Sequence, residues 1–270
     1  MTQVFTRNKV SWHADFSRGR SLAISFDPGG QHPSFFAETG VRSRPLRRGD
    51  FVGDISSGGS CNAEVIEFST HSHGTHTECI GHILPDRQAV IGTVDEAPTL
   101  MRLLTVPFES LDHGVFIPAS ALDPLQGFEG GALAIRTLPN GADKQWRNYD
   151  EAPPFPVLSR EAMKKLSERA LMHLLLDTPS ADQPESQELE NHAMWWGLYA
   201  RETPGVPNAA ARSITEMIYV PDDITDNDYW LDLQLAPIVS DAVPSRPVIY
   251  PVSRHVFIQG QGTKRWTPLR

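Results

Sequence analysis

Residues 69–83 read S-T-H-S-H-G-T-H-T-E-C-I-G-H-I, a stretch that holds four of the chain's ten histidines (His71, His73, His76 and His82) together with Glu78 and Cys79. Ten histidines spread evenly would place about half of one in any window of this length. Imidazole nitrogen is a borderline donor and carboxylate oxygen adds neutralising charge, a combination suited to a divalent transition ion such as zinc or manganese. A structural zinc site closes with four strong ligands and favours cysteine. Here Cys79 is the one thiol nearby, so the pattern fits an open, reactive ion better. Val65, Ile66 and Phe68 are strand formers, so the segment is expected to arrive extended and to be broken at Gly74. On an extended chain His71 and His73 share a face, as do His76 and Glu78, and a bend at the glycine brings the two pairs toward one point. Cys79 has two readings, a reactive thiol or a small buried cysteine lining a pocket.

The 270 residues suffice for a substantial core, and with no internal repeat or low-complexity linker they read as one domain over residues 1–270. Scattered glycine and abundant proline predict short strands and shaped loops rather than a helical bundle. A formal charge of −9 and the lack of a Lys/Arg-rich run argue against a nucleic-acid groove or an anionic membrane surface. No apolar run approaches membrane-spanning length, and the amino terminus lacks the apolar centre of a secretion signal. Two cysteines, Cys61 and Cys79, cannot build a disulfide framework, so the expected compartment is the cytoplasm.

Outward from the cluster, strands are expected over 20–27, 61–71, 103–108, 114–118 and 132–137. Ser159 caps a predicted helix with Ala162, Leu166 and Ala170 on one face, followed by the apolar strand L-M-H-L-L-L-D, in which His173 reads as a packing residue. A second helix carries Leu189, Ala193, Trp196 and Ala200 as its apolar stripe, with His192 near its start. Glu216 lies among apolar residues in R-S-I-T-E-M-I-Y-V-P, where a carboxylate pays a large desolvation cost unless it is paired or holds a metal. This order predicts a mixed α/β architecture with a helix packed on a sheet. Phe35, Phe36, Cys79, Trp195 and Trp196 are candidates for a pocket wall, although adjacent tryptophans on a helix cannot both face one pocket. Arg42, Arg44, Arg47 and Arg48 form either a basic pocket rim or a solvated turn.

Gly74-Thr75-His76, Glu78 and His82 line up with His-x-Gly-Thr-His-x-Asp-x-Pro-x-His, and in this the chain resembles the cyclase-like metal-dependent hydrolases, the family that includes bacterial kynurenine formamidase and isatin hydrolase. Glu78 stands where that family has aspartate, Ile80 where it has proline, and Ser72 where it has its first histidine. Either His71 or His73 must then supply the first ligand, and His71 is preferred because S-T-H at 69–71 matches the family's strand end. L-L-L-D-T-P-S at 174–180 resembles the strand and turn before the family's later histidine, which falls on His192, and S-I-T-E-M at 213–217 resembles the strand of its final glutamate, Glu216.

The resemblance implies a swivelling β/β/α fold with a small β-barrel-like core and flanking helices, assembled as a homodimer or higher homo-oligomer. It implies one or two ions, zinc or manganese, held by His71, His76, Glu78, His192 and Glu216, with both carboxylates able to bridge and His82 as the acid–base residue. The expected function is metal-dependent hydrolysis of an amide, cyclic-amide or lactone bond in a small, aromatic or carboxylated substrate. The alternatives are a non-catalytic metal- or ligand-binding protein of the same fold, or a dehydratase or true cyclase using the ion as a Lewis acid.

Overall fold

The computed structural model describes residues 2–7, 10–25, 27–199, 208–260 and 263–268, with side chains described over 10–25, 27–199 and 208–254. Among these, seven strands form the centre: β1 (His76–Glu78), β2 (Thr99–Val106), β3 (Ala132–Thr137), β4 (His173–Leu176), β5 (Ser213–Glu216), β6 (Asp228–Leu235) and β7 (Ala242–Gly260). Their order is β7-β6-β2-β3-β4-β5-β1, and β1 pairs back onto β7 to close a barrel. The run β2-β3-β4-β5 is parallel, whereas β1 is antiparallel to both of its neighbours.

Parallel strands are buried on both faces, which is why β3, β4 and β5 are buried throughout and why β3 and β4 are mostly apolar. The two faces serve different cores. Ala132, Ala134, Met101, Leu103 and Leu175 point inward with Leu231 and Ile249. Leu133, Ile135, Leu174, Leu176 and Ile214 point outward against two helices, α1 (Arg160–Ser167) and α2 (Glu190–Trp195). Small and large inward residues together fill the barrel interior.

Helix α1 begins as expected, with the Ser159 hydroxyl accepting from the Ala162 N–H at 3.2 Å, but it ends at Ser167. Ala162 and Leu166 are buried, while Ala170 lies beyond the helix and is exposed. Helix α2 is shorter than its apolar stripe suggested, because Gly197 adopts a left-handed φ of +72° and terminates it. Ala200 lies outside the described residues. The expected strand over 20–27 reduces to Arg20–Ser21 and an isolated bridge at Ala23, and Phe26 also lies outside the described residues. The strand expected to run into the histidine cluster covers Glu64–Glu67 and pairs with Arg42–Pro45 outside the barrel, so Arg42 and Arg44 belong to an exposed two-stranded arm. Arg47 and Arg48 are likewise exposed in a second small hairpin. Among the described residues, no helix is long and apolar enough to cross a membrane.

One buried ion pair fixes the loop that leaves β4. Lys144 Nζ donates to Asp177 Oδ2 at 2.7 Å, and the Thr137 N–H donates to the same carboxylate at 2.8 Å. Burial pushes the Asp177 carboxyl up, against the pull of Lys144. Lys144→Met leaves that carboxylate buried and unpaired, so it is expected to cost about 3–5 kcal/mol in urea unfolding at pH 7. A loss below about 1 kcal/mol would mean that water already reaches the pair.

His173 is a packing residue, as expected. It is 2% exposed, faces the barrel interior and shares a hydrogen bond of 2.9 Å between its Nδ1 and Ser213 Oγ. Burial lowers its pKa to about 4. A histidine whose folded pKa lies below its unfolded value withholds a proton from the native state, so stability falls as the pH drops from about 6.5 through 4, by about 3 kcal/mol in all. His173→Asn is expected to flatten this limb of the stability–pH curve. An unchanged slope between pH 7 and 4 would show that His173 does not generate it.

Candidate metal centre

Antiparallel pairing of β1 with β5 sets Glu216 directly across from His76. Ile214 faces the outer core, and by the two-residue period Glu216 shares its side of the barrel, as do His76 and Glu78 across the pair. The intervening Thr77 points the other way, with its Oγ1 2.7 Å from Thr215 Oγ1 and donating to Ser245 Oγ at 2.8 Å. Gly74, at φ +77°, supplies the bend that turns the chain into β1.

The residues before that bend are not extended. The N–H groups of Ser72 and His73 both donate to Ser69 O, at 3.2 and 3.1 Å, so the chain turns and the two histidines part. His71 swings into the cluster. His73 packs away from it, with its Nδ1 beside Ser69 and its ring edge-on to His32 at 5.5 Å. Of the two candidates for the first ligand, the fold therefore brings His71 to the site, while His76 and Glu78 share a face as their spacing predicted.

Helix α2 brings His192 over the outer face of β1 and β5. Asp182 Oδ2 accepts from His192 Nδ1 at 2.6 Å, which leaves Nε2 turned toward Glu78 Oε1 at 3.0 Å and Glu216 Oε1 at 3.6 Å. The same carboxylate accepts from the Asn191 and His192 N–H groups and so starts the helix from eight residues upstream. Glu216 Oε1 accepts from the Ala181 N–H at 2.8 Å, and its Oε2 lies 3.4 Å from His76 Nε2. Met217, the next residue, holds a left-handed φ of +54°, with its carbonyl accepting from the Thr75 hydroxyl. His71 Nδ1 lies 3.3 Å from Glu78 Oε2, and His82 Nε2 lies 3.7 Å from the same oxygen.

Charge in this cluster is finely balanced. Burial opposes ionisation of Glu78, but His82, His192 and His71 outweigh it and hold the carboxyl well below its ordinary range. Burial also disfavours a charged His192, yet Glu78, Asp182 and Glu216 raise its pKa well above the usual value. Burial lowers that of His82, which keeps it neutral. Four buried atoms that converge here, His76 Nε2, His192 Nε2, Glu78 Oε1 and Glu78 Oε2, have no hydrogen-bond partner. Buried carboxylate and imidazole groups gathered here suit a divalent cation, which would satisfy such atoms. His71, His76 and Glu78 form one group with ligand atoms within 4.8 Å of each other, and Glu78, His82 and His192 form another.

The cluster opens into a cavity of about 300 Å³ walled by Phe35, Phe36, Gln183, Pro184, Gln187 and Leu189. Phe35 packs edge-on against Phe155, whereas Phe36 is 78% exposed at the rim. Trp195 and Cys79 are not on this wall. Trp195 is fully buried in the outer core, where its indole N–H donates to Ser213 O and the Arg212 guanidinium covers its ring. Trp196 is buried beside it, with its N–H donating to Arg212 O. Cys79 packs with Val90, Val94 and Val243, and burial pushes its thiol up, away from the thiolate a nucleophile needs. Sequence reasoning missed Asp182, which orients His192, and Asp241, whose Oδ2 lies 3.0 Å from His71 Nε2. Neither stands at a recognisable spacing from its histidine.

The barrel and its partner helices recur among solved structures. A potential metal-dependent hydrolase with cyclase activity superposes with a TM-score of 0.58 at 14% identity, over 87% of this chain and 98% of that one. Isatin hydrolase A from Labrenzia aggregata, bound to benzyl benzoate, gives 0.57 at 14% identity over 86% and 93%. A predicted metal-dependent hydrolase from Bacillus stearothermophilus gives 0.56 at 13% identity over 86% and 98%. No curated protein matches the chain at the sequence level. The family model described as "Putative cyclase" matches residues 1–183, which contain the bend at Gly74, the whole of β1 and Asp182, and the chain therefore belongs to the Cyclase family.

Proposed function

We propose that this protein is a metal-dependent hydrolase that opens an amide, cyclic-amide or lactone bond in a small substrate. The observation that carries this reading is the gathering of four buried ligand atoms that make no hydrogen bond beneath an open cavity. His71, His76, Glu78, His192 and Glu216 are the residues proposed to hold the ion, with zinc or manganese matching the mixture of imidazole and carboxylate. When bound, such an ion supplies Lewis acidity, acidifying water and polarising a carbonyl.

The protein's own groups divide the remaining work. Glu78 and Glu216 would offset a cation's charge, and Asp182 fixes the His192 ring so that Nε2 is turned toward Glu78. His82, neutral and open to the cavity, takes the proton from the attacking water and returns one to the leaving nitrogen or oxygen. Its Nε2 faces the centre, and no covalent intermediate with the protein is required. Phe35 and Phe36 offer an aromatic wall for a flat substrate. Isatin hydrolase A acts on a cyclic amide by its name, and the shared fold supports carbon–nitrogen bonds as the first class to screen.

Elemental analysis of the purified protein is expected to find at least one divalent ion per chain, with His76→Ala and Glu216→Ala each losing it after dialysis. Retention of full metal content in both variants would place the ion elsewhere. On a panel of lactams, formanilides and lactones, His82→Asn is expected to keep its metal and lose about 100- to 10,000-fold in kcat. An unchanged kcat would remove His82 from the chemistry, and a metal-loaded wild type inert on the whole panel would favour a non-catalytic binding role.

A further inference from the structure

A third group of donors joins His71 and His82, both on the cavity wall, to Asp241. His71 Nε2 is 3.0 Å from Asp241 Oδ2, His82 Nδ1 is 3.7 Å from the same oxygen, and each of the three residues offers a ligand atom within 4.8 Å of the other two. Ligands at zinc distances of about 2.0–2.1 Å around a tetrahedral ion stand roughly 3.3–3.4 Å apart, so the two contacts bracket the required spacing. The side chains of His71, His82 and Asp241 are 34%, 26% and 24% exposed, whereas Glu78 is fully buried, so an ion can reach this group from solvent. Asp241 is itself held in place. Its carbonyl accepts from the Cys79 N–H at 3.1 Å, and the carbonyl of Ser240 accepts from the Val90 N–H at 2.8 Å.

We propose that His71, His82 and Asp241 form a second, solvent-facing site for a borderline divalent cation such as zinc, and that filling it inhibits the enzyme. The site itself stands on this geometry alone, and the inhibition rests on the reading of His82 as the acid–base group. An ion on His82 Nδ1 leaves the ring's remaining proton on Nε2, the nitrogen that faces the centre, so the imidazole can no longer accept a proton there. The ion replaces the hydrogen that His71 Nε2 shares with Asp241, and that proton passes to solvent. His71 then serves the inner and outer ions through opposite ring nitrogens, so the outer ion binds more weakly.

The test is equilibrium dialysis of the purified protein against zinc chloride, with cobalt chloride as a spectroscopic substitute. Wild type is expected to take up a weaker equivalent beyond the tightly held metal. His76→Ala/Glu216→Ala is expected to lose the tight metal and keep the weaker ion, and adding Asp241→Ala to that variant abolishes the weaker ion too. With wild type holding its tight metal, further zinc is expected to lower turnover about a hundredfold or more, and Asp241→Ala to relieve this inhibition. Absence of a weaker equivalent in wild type, or weak binding unchanged by Asp241→Ala, overturns the proposal. Asp241→Asn, which preserves side-chain shape, must show the same loss, and thermal melting identifies any variant that has failed to fold. Retention of the tight metal in His76→Ala/Glu216→Ala refutes the buried-site reading instead, and binding of the weaker ion without inhibition refutes only the role of His82.

Discussion

The closing of the barrel by β1 is the constraint on which the rest of the structure depends. This strand has only three residues, yet it pairs with β5 on one side and β7 on the other. Each residue has a fixed direction because the strand period is two: Thr77 must face the interior, and His76 and Glu78 must face outward. The inward side is satisfied by hydroxyls, with Thr77 meeting Thr215 and Ser245. The outward side places two carboxylates and an imidazole in a dry environment where none of them is stable alone.

That arrangement is tolerable only because opposite charges and oriented dipoles meet there. Glu78 lies among three histidines, and Glu216 is held by the Ala181 N–H and by two imidazoles. Removing two carboxylates from water costs several kcal/mol each, which imidazolium protons or a metal ion must offset. The cluster thus holds a place for positive charge. The flanking acids extend this logic outward: Asp182 orients His192 from the helix side, and Asp241 meets His71 from the turn before β7. Both histidines are consequently held through the ring nitrogen that does not face the centre, an arrangement that fixes the tautomer before any ligand arrives.

Much of this was legible in the chain. The density of histidine around Gly74 pointed to metal chemistry, and the short β-rich run A-L-A-I-R-T and the apolar run L-M-H-L-L-L-D marked buried strands, because composition is a local property. Glu216 was conspicuous for the same reason, as an acid in an apolar run. Cys79 and Trp195 were misjudged as pocket wall because closeness in sequence to a functional residue says nothing about direction. Cys79 follows Glu78 by one residue and so turns to the opposite side, and the buried ring of Trp195 fills the core behind His192.

By itself, the sequence determined which donor atoms the protein owns, that His76 and Glu78 act from one face, and that a glycine bends the chain ahead of them. Only the tertiary structure separated His71 from His73, because a turn at Ser69 rather than an extended approach sends one ring to the cluster and the other away. It alone brought in Asp182 and Asp241, whose contacts with His192 and His71 span 10 and 170 residues. The physical reason is that donor identity is written in side-chain chemistry, whereas convergence depends on strand register and barrel closure, which arise when distant segments pair.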